Sequence, residues 1–289
     1  MNTRANGWIL IALSAVSFGV MGVLVKLAHG EGVDTLSALS LRFLIASAVL
    51  IPLAAIRRKP LPRAKTLGTL FLFGSCGYVA HSICFFIALK HASAGLTSLL
   101  LYLYPALVAL GCAAFFGERL GRDRLAALGV ALAGLVLVVD MGPGNRLLGI
   151  ALALACAFIY AAYILACSRV TRGVDPLTSA TVIIAGAAVI YGGIALGLGS
   201  PLPPTSAGWS LVALIGIVST AIAIGAFFAA MERIGPSAAA TGSTLEPIVT
   251  VIAGAVVLDE QLTIIQIAGG ALIVAAVVLL ATRPPASSP

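Results

Sequence analysis

Charge is scarce in this chain. Only 9% of its 289 residues are Asp, Glu, Lys or Arg, against about 25% in a typical soluble domain. Ten acidic and seventeen basic side chains cannot solvate the surface of a water-soluble globule of this size. A cytosolic enzyme and a nucleic-acid binder are therefore excluded, in spite of a formal charge of +7. Long polar stretches are also missing, which leaves no room for an extramembrane domain. The five cysteines, Cys76, Cys84, Cys112, Cys156 and Cys167, all lie in apolar runs and form no C-x-x-C pair. That excludes a zinc site or disulfide framework and leaves small apolar packing residues. No G-x-x-x-x-G-K-[ST] loop is present to bind ATP, and neither an H-E-x-x-H zinc motif nor a G-x-S-x-G nucleophile elbow occurs. Gly142-Pro143-Gly144 is a loop rather than a dinucleotide fingerprint, and a pair of intramembrane aspartates is absent. The expectation is a protein that is not an enzyme and carries no cofactor.

Apolar residues fill the space: 61% of the chain is hydrophobic, with a mean hydropathy of +1.13. A membrane-spanning helix needs about 17–25 apolar residues. Ten stretches meet that length, at approximately 7–28, 34–56, 66–90, 92–116, 123–140, 147–168, 175–199, 206–233, 236–258 and 262–282. They are continuously apolar and about twice the length of a barrel strand, which excludes a β-barrel. The first run is longer than a signal-peptide core and is followed by no A-x-A cleavage site, so it reads as a retained transmembrane helix. Trp8 and Trp209 start their spans, as interfacial belt residues do. With the amino terminus inside, thirteen basic residues fall on the inner side, five of them between Arg57 and Lys65, and only Lys90 and Arg146 fall outside. The positive-inside rule then places both termini in the cytoplasm.

The chain repeats itself. A shift of 142 residues aligns Gly7 with Gly149, Gly74 with Gly216 and Phe85-Phe86 with Phe227-Phe228. The same shift aligns Pro105 with Pro247 and Glu118 with Glu260, while Gly32-Val33-Asp34 matches Gly173-Val174-Asp175 at 141. Apolar coincidences are common in such a composition, but a glutamate, a proline and an aromatic pair on one register are not. The two units are 1–141 and 142–289. Each holds five spans, an odd number, so the halves insert with opposite orientation. The expected fold is an all-α membrane protein of ten transmembrane helices built as two inverted five-helix repeats, an arrangement recurrent among secondary transporters.

A small-residue helix with a central proline, followed by an acidic residue and leucine before the next helix, occurs twice. It reads Pro105 through Gly117-Glu118-Arg119-Leu120 and Pro247 through Asp259-Glu260-Gln261-Leu262. On these motifs and the five-plus-five organisation, the whole chain resembles the drug/metabolite transporter superfamily in its EamA-domain branch. The resemblance implies transport of amino acids, other metabolites or drugs, and is nearest to bacterial amino-acid exporters of the inner membrane. It also implies export as the direction of transport and no obligate protein partner.

Ionisable side chains inside the bilayer cost about 2.5–3.5 kcal/mol at a helix centre on insertion scales, and they mark candidate sites. Glu246 lies ten residues into its span, near mid-depth, and Pro247 behind it can open the helix by removing a backbone donor; Tyr104-Pro105 is its counterpart. Glu246 either serves a solute or a coupled proton, or locks helices together. His81 has Tyr78 on its helix face and Ser82 beside it, and either lines a cavity or satisfies a neighbouring carbonyl. Arg42, eight residues into its span, snorkels partly outward and pairs with an acidic residue such as Glu246, or meets a substrate carboxylate. Tyr102 and Tyr104 flank the fourth-span break, and Tyr160 and Tyr163 share a face of the sixth span. Each of these tyrosines offers a ring and a polar tip to a solute or simply packs. Glu118 and Glu260, at helix ends, read as structural. The reading is a carrier for a small organic solute, with amino acids first and a drug or lipophilic cation as the alternative. A channel lacks a continuous polar path.

Overall fold

The computed structural model describes residues 3–104, 106–108, 110–111, 126, 129–130, 133–134, 137, 146–171, 173–234, 239, 242–243, 245–261 and 263–282. Among these the regular structure is helical, with no β-strand. Six runs are long and apolar enough to cross a bilayer: Ala5–Gly30, Thr35–Arg57, Ala64–His91, Leu147–Val170, Pro176–Leu198 and Ser206–Ile234, of 23 to 29 residues each. At 1.5 Å per residue they span about 35–44 Å, more than the ~30 Å hydrocarbon core. The protein spans a membrane several times. The expected fifth span, 123–140, lies mostly outside the described residues, as do Pro105 and Glu118.

The first run comprises α1 (Thr3–Gly19) and α2 (Met21–Gly30); α3 (Thr35–Arg57) follows. The third joins α4 (Ala64–Leu72) to α5 (Val79–His91) through a π segment, Phe73–Tyr78. After α6 (Ala94–Leu101) come α7 (Leu147–Val170) and α8 (Pro176–Leu198). A second π segment, Ile217–Ile222, joins α9 (Ser206–Gly216) to α10 (Ala223–Ile234); α11 (Leu245–Leu258) and α12 (Ile264–Thr282) complete the described chain.

The repeated Gly-Val-Asp tripeptides build the same turn twice. Gly32 and Gly173 take φ of +78° and +75°, a left-handed conformation that suits glycine. Two residues later Asp34 and Asp175 cap α3 and α8, accepting from Leu36 N at 2.8 Å and Thr178 N at 3.0 Å. Capping satisfies a helix N–H that would otherwise be orphaned in a low-dielectric setting.

Packing exchanges between the halves. α1 lies along α10, α7 lies along α5, and α3 packs on α8. Where Gly7 meets Arg233 and Ile234, Gly149 meets His91 and Ala92. Where Ser14 Oγ donates to the Ala223 carbonyl at 2.8 Å, Cys156 Sγ donates to the His81 carbonyl at 3.4 Å. Every member of these pairs is 142 residues from its counterpart. Because α1 rises from Gly7 to Ser14 while its contacts on α10 fall from Ile234 to Ala223, the two helices run antiparallel, and α7 and α5 do the same. The close approach needs glycine: a Cβ on Gly74 would collide with the Ile183 carbonyl, and one on Gly216 would lie 3.0 Å from the Arg42 carbonyl. Small residues at crossings are how membrane helices gain van der Waals contact without a hydrophobic drive.

Candidate functional site

The two helix breaks meet inside the bundle. After α6 the chain turns at Tyr102 and Leu103 before resuming at Tyr104, and in the second half it turns at Ser243 before α11. The Tyr102 hydroxyl donates to the Ser243 carbonyl, tying one break to the other. Thr250 Oγ1 holds α11 to α1 by donating to the Gly19 carbonyl at 2.7 Å, and Ser98 Oγ on α6 reaches Thr250 Oγ1 at 3.3 Å. Glu246 is the second residue of α11, and its amide donates to the Ser243 carbonyl at 2.9 Å. Its carboxylate lies beside the Tyr102 and Ser243 side chains, and its charge also reaches Tyr104, Tyr160 and Tyr78.

From that junction a continuous series of rings crosses the interior. Tyr102 leads to Tyr104, with centroids 5.5 Å apart, and Tyr104 to Tyr160 at 4.7 Å. Tyr160 lies 4.5 Å from the His81 ring and stacks with Tyr163 at 6.1 Å. Tyr78 touches His81 at 5.5 Å, Tyr163 at 5.8 Å and Phe43 at 5.6 Å, and Phe43 stacks on Tyr191 at 5.4 Å. Tyr78 closes the first π segment. Such segments insert an extra residue per turn and are frequent at functional sites. A narrow cleft between α1, α7 and α10 opens on this series; Phe18, Tyr78, Tyr163, Ile164, Phe227 and Met231 line it, almost wholly apolar.

Arg42 stands at the far end. It is 1% exposed, with its guanidinium carbon 4.4 Å from the Phe43 ring centre and 5.1 Å from that of Phe86. Among the described residues, Arg42 Nε and both ring nitrogens of His81, buried near the ring series, have no hydrogen-bond partner. Each such group costs about 1–3 kcal/mol when buried without a partner.

A sequence model of the EamA-like transporter family matches residues 5–140 and again residues 147–282. The chain belongs to the EamA-like transporter family. Among its relatives are the uncharacterized transporter YcbK of Bacillus subtilis strain 168, 30% identical over 92% of this chain and 89% of that one. A probable terminal-alkyne amino-acid exporter of Streptantibioticus cattleyicolor is 28% identical over 86% of this chain and 84% of its own. A crystal structure at 22% identity superposes with a TM-score of 0.68 and 96% coverage of both chains, which shows the shared fold.

Within this family member, the structure gathers Glu246, Tyr104, Tyr160, Tyr163, His81 and Tyr78 around one ring series, as the spacings of Tyr78 with His81 and of Tyr160 with Tyr163 anticipate. Three expectations change. Arg42 neither snorkels nor pairs with Glu246, because Phe43 and Phe86 enclose it and no carboxylate lies within ion-pair distance among the described residues. The second break precedes Pro247 instead of following from it: Pro247 is the third residue of α11, where its missing N–H has no helical acceptor to lose. Ser82 turns toward Tyr191, whose hydroxyl lies 2.9 Å from Ser82 Oγ and donates to the Val79 carbonyl at 2.8 Å. Tyr191 and Phe43 were not singled out from the sequence; a tyrosine in the middle of the apolar run 176–198 was the available signal.

Glu260 has the structural role its position implies, but across the fold. Its carboxylate accepts from the amides of Ala94 at 2.9 Å and Gly95 at 3.1 Å, capping α6, and pairs with Lys26 at 3.6 Å. The N-terminal dipole of α6 favours the charge there.

Proposed function

We propose that this chain is a secondary carrier that exports small organic solutes, amino acids foremost, across the bacterial inner membrane by alternating access, without enzymatic activity or a cofactor. The observation that carries this reading is the meeting of two broken helices, at Tyr102–Leu103 and at Ser243, beside the carboxylate of Glu246. Half-helix ends facing one another at a repeat interface are where carriers bind solutes and coupling ions. In this reading ten transmembrane helices form two inverted repeats, 1–141 and 142–289, with both termini in the cytoplasm. The symmetric exchange of contacts between α1–α10 and α7–α5 supports that arrangement. Glu246, His81, Tyr78, Tyr104, Tyr160, Tyr163, Arg42 and Ser82 line or brace the path, and Pro105 and Pro247 keep the broken helices from closing. Glu246 carries either the solute's ammonium or a proton. The relative named as a probable amino-acid exporter adds weight to the choice of solute. A drug or lipophilic cation is the second reading, favoured by the rings beside Glu246, since aromatic faces attract cations. Purified protein in liposomes distinguishes them: saturable counterflow of labelled amino acids supports export, and counterflow of tetraphenylphosphonium alone supports the alternative. Flux of neither refutes carrier activity for these solutes.

A further inference from the structure

Arg42 is a buried cation with no anion paired to it among the described residues. A guanidinium stays charged and offers five donors. Among the described residues Nε has no partner, one terminal nitrogen meets Met21 Sδ at 3.4 Å, a weak acceptor, and the guanidinium also meets the neutral hydroxyl of Tyr78. The ring faces of Phe43 and Phe86 offset part of the desolvation, but among the described residues no carboxylate lies within ion-pair distance, and an uncompensated buried charge is among the costliest features a fold can hold. His81, whose two buried ring nitrogens have no partner among the described residues, is close enough to feel the Arg42 charge. Tyr78 links the pair to the apolar cleft: it is an electrostatic neighbour of Arg42, touches His81 and forms one wall beside Phe18, Ile164 and Phe227. Glu246, the acid on the ring series, lies beside Tyr102 and Ser243 and makes no ion pair with Arg42 among the described residues.

We propose that Arg42 is the carboxylate subsite of the carrier, with His81 beside it, and that the solute is an amphipathic carboxylate whose apolar body enters the Tyr78–Phe227 cleft. The α-ammonium of an amino acid, held on the same carbon as the carboxylate, then lies among rings and not on an acid, which leaves Glu246 the proton of its two roles and makes the carboxylate the group that decides recognition. This inference rests on the carrier reading and narrows it: a deaminated acid binds, and an amine of the same skeleton does not.

The test compares four probes of one shape, namely phenylalanine, 3-phenylpropionate, phenethylamine and phenethyl alcohol, by thermal stabilisation of the purified full chain. The expected result is saturable stabilisation by both carboxylates, at least tenfold weaker response to the amine and the alcohol, and loss of the carboxylate response in Arg42→Gln. Arg42→Lys, which keeps the charge and loses the fork, is expected to retain an intermediate response and serves if the glutamine variant fails to fold. Phenethylamine binding as well as 3-phenylpropionate overturns the inference, as does no response to either carboxylate, or an Arg42→Gln variant that binds them like the parent. Liposome flux separates the two readings. Counterflow of phenylalanine that phenethylamine inhibits as well as 3-phenylpropionate does refutes the carboxylate subsite and leaves the carrier standing. Carboxylate binding without flux of any probe supports the subsite and counts against the carrier.

Discussion

Gly74→Ala is the sharpest test of how the halves fit. Gly74 lies in the first π segment, and a Cβ there would meet the carbonyl oxygen, carbonyl carbon and Cα of Ile183 on α8. Those are backbone atoms with no rotamer through which to yield, so α4–α5 and α8 must separate. Overpacking a well-packed site costs about 1–3 kcal/mol even where side chains can adjust, and a backbone obstacle puts Gly74→Ala at or above the top of that range. Helix propensity pulls the other way by only about 0.5–1 kcal/mol. Gly68, on α4 in the same helical run, is the matched control because a Cβ there meets nothing within 4 Å. Gly68→Ala is expected to be neutral or stabilising by up to about 1 kcal/mol. The assay is the melting temperature of the purified variants in one detergent, followed by loss of monodisperse protein after heating. Gly74→Ala should melt well below the parent and Gly68→Ala at or above it. Equal melting of the two variants would refute the close crossing of the third span on α8.

Glu246→Gln keeps the shape and removes the charge, and it should lower counterflow of a transported amino acid at least tenfold, about 1.4 kcal/mol in the limiting step, while leaving the melting temperature near that of the parent. Parental flux would remove Glu246 from the mechanism. Combining Arg42→Gln with Glu246→Gln should be additive in stability to within about 0.5 kcal/mol, since the two do not pair; rescue in the double variant would reveal a hidden ion pair, whose breakage costs about 3–5 kcal/mol. Cysteines introduced at Gly142–Asn145 should react with impermeant thiol reagents from the periplasmic side and those at Arg58–Pro60 only from the cytoplasm; the reverse would overturn the orientation drawn from the basic residues.

Much of this protein is determined locally, and there the sequence suffices. Composition and the length of the apolar runs decide that the chain spans a membrane, because lipid satisfies no backbone group and forces each crossing into a helix of set length. The internal repeat was legible because identical local chemistry recurs: Gly32-Val33-Asp34 and Gly173-Val174-Asp175, one residue off the register of 142, fold into the same left-handed glycine and aspartate cap in both halves. Spacings of three residues placed Tyr78 with His81 and Tyr160 with Tyr163, since neighbours on a helix face need no tertiary information. What crosses between helices was decided only by the fold. Glu260 looked like a terminus of its own helix and instead caps α6, some 165 residues away in sequence. Arg42 looked bound for an acid or the interface, yet packing of α2, α3 and α5 encloses it between Phe43 and Phe86 with the Met21 sulfur as its neighbour. Pro247 looked like the break itself, whereas the turn lies at Ser243, held by a tyrosine from the other half. Periodicity records which residues share a face, but the partner of a buried charge is set by how helices cross, and crossings depend on shapes contributed from both halves of the chain at once.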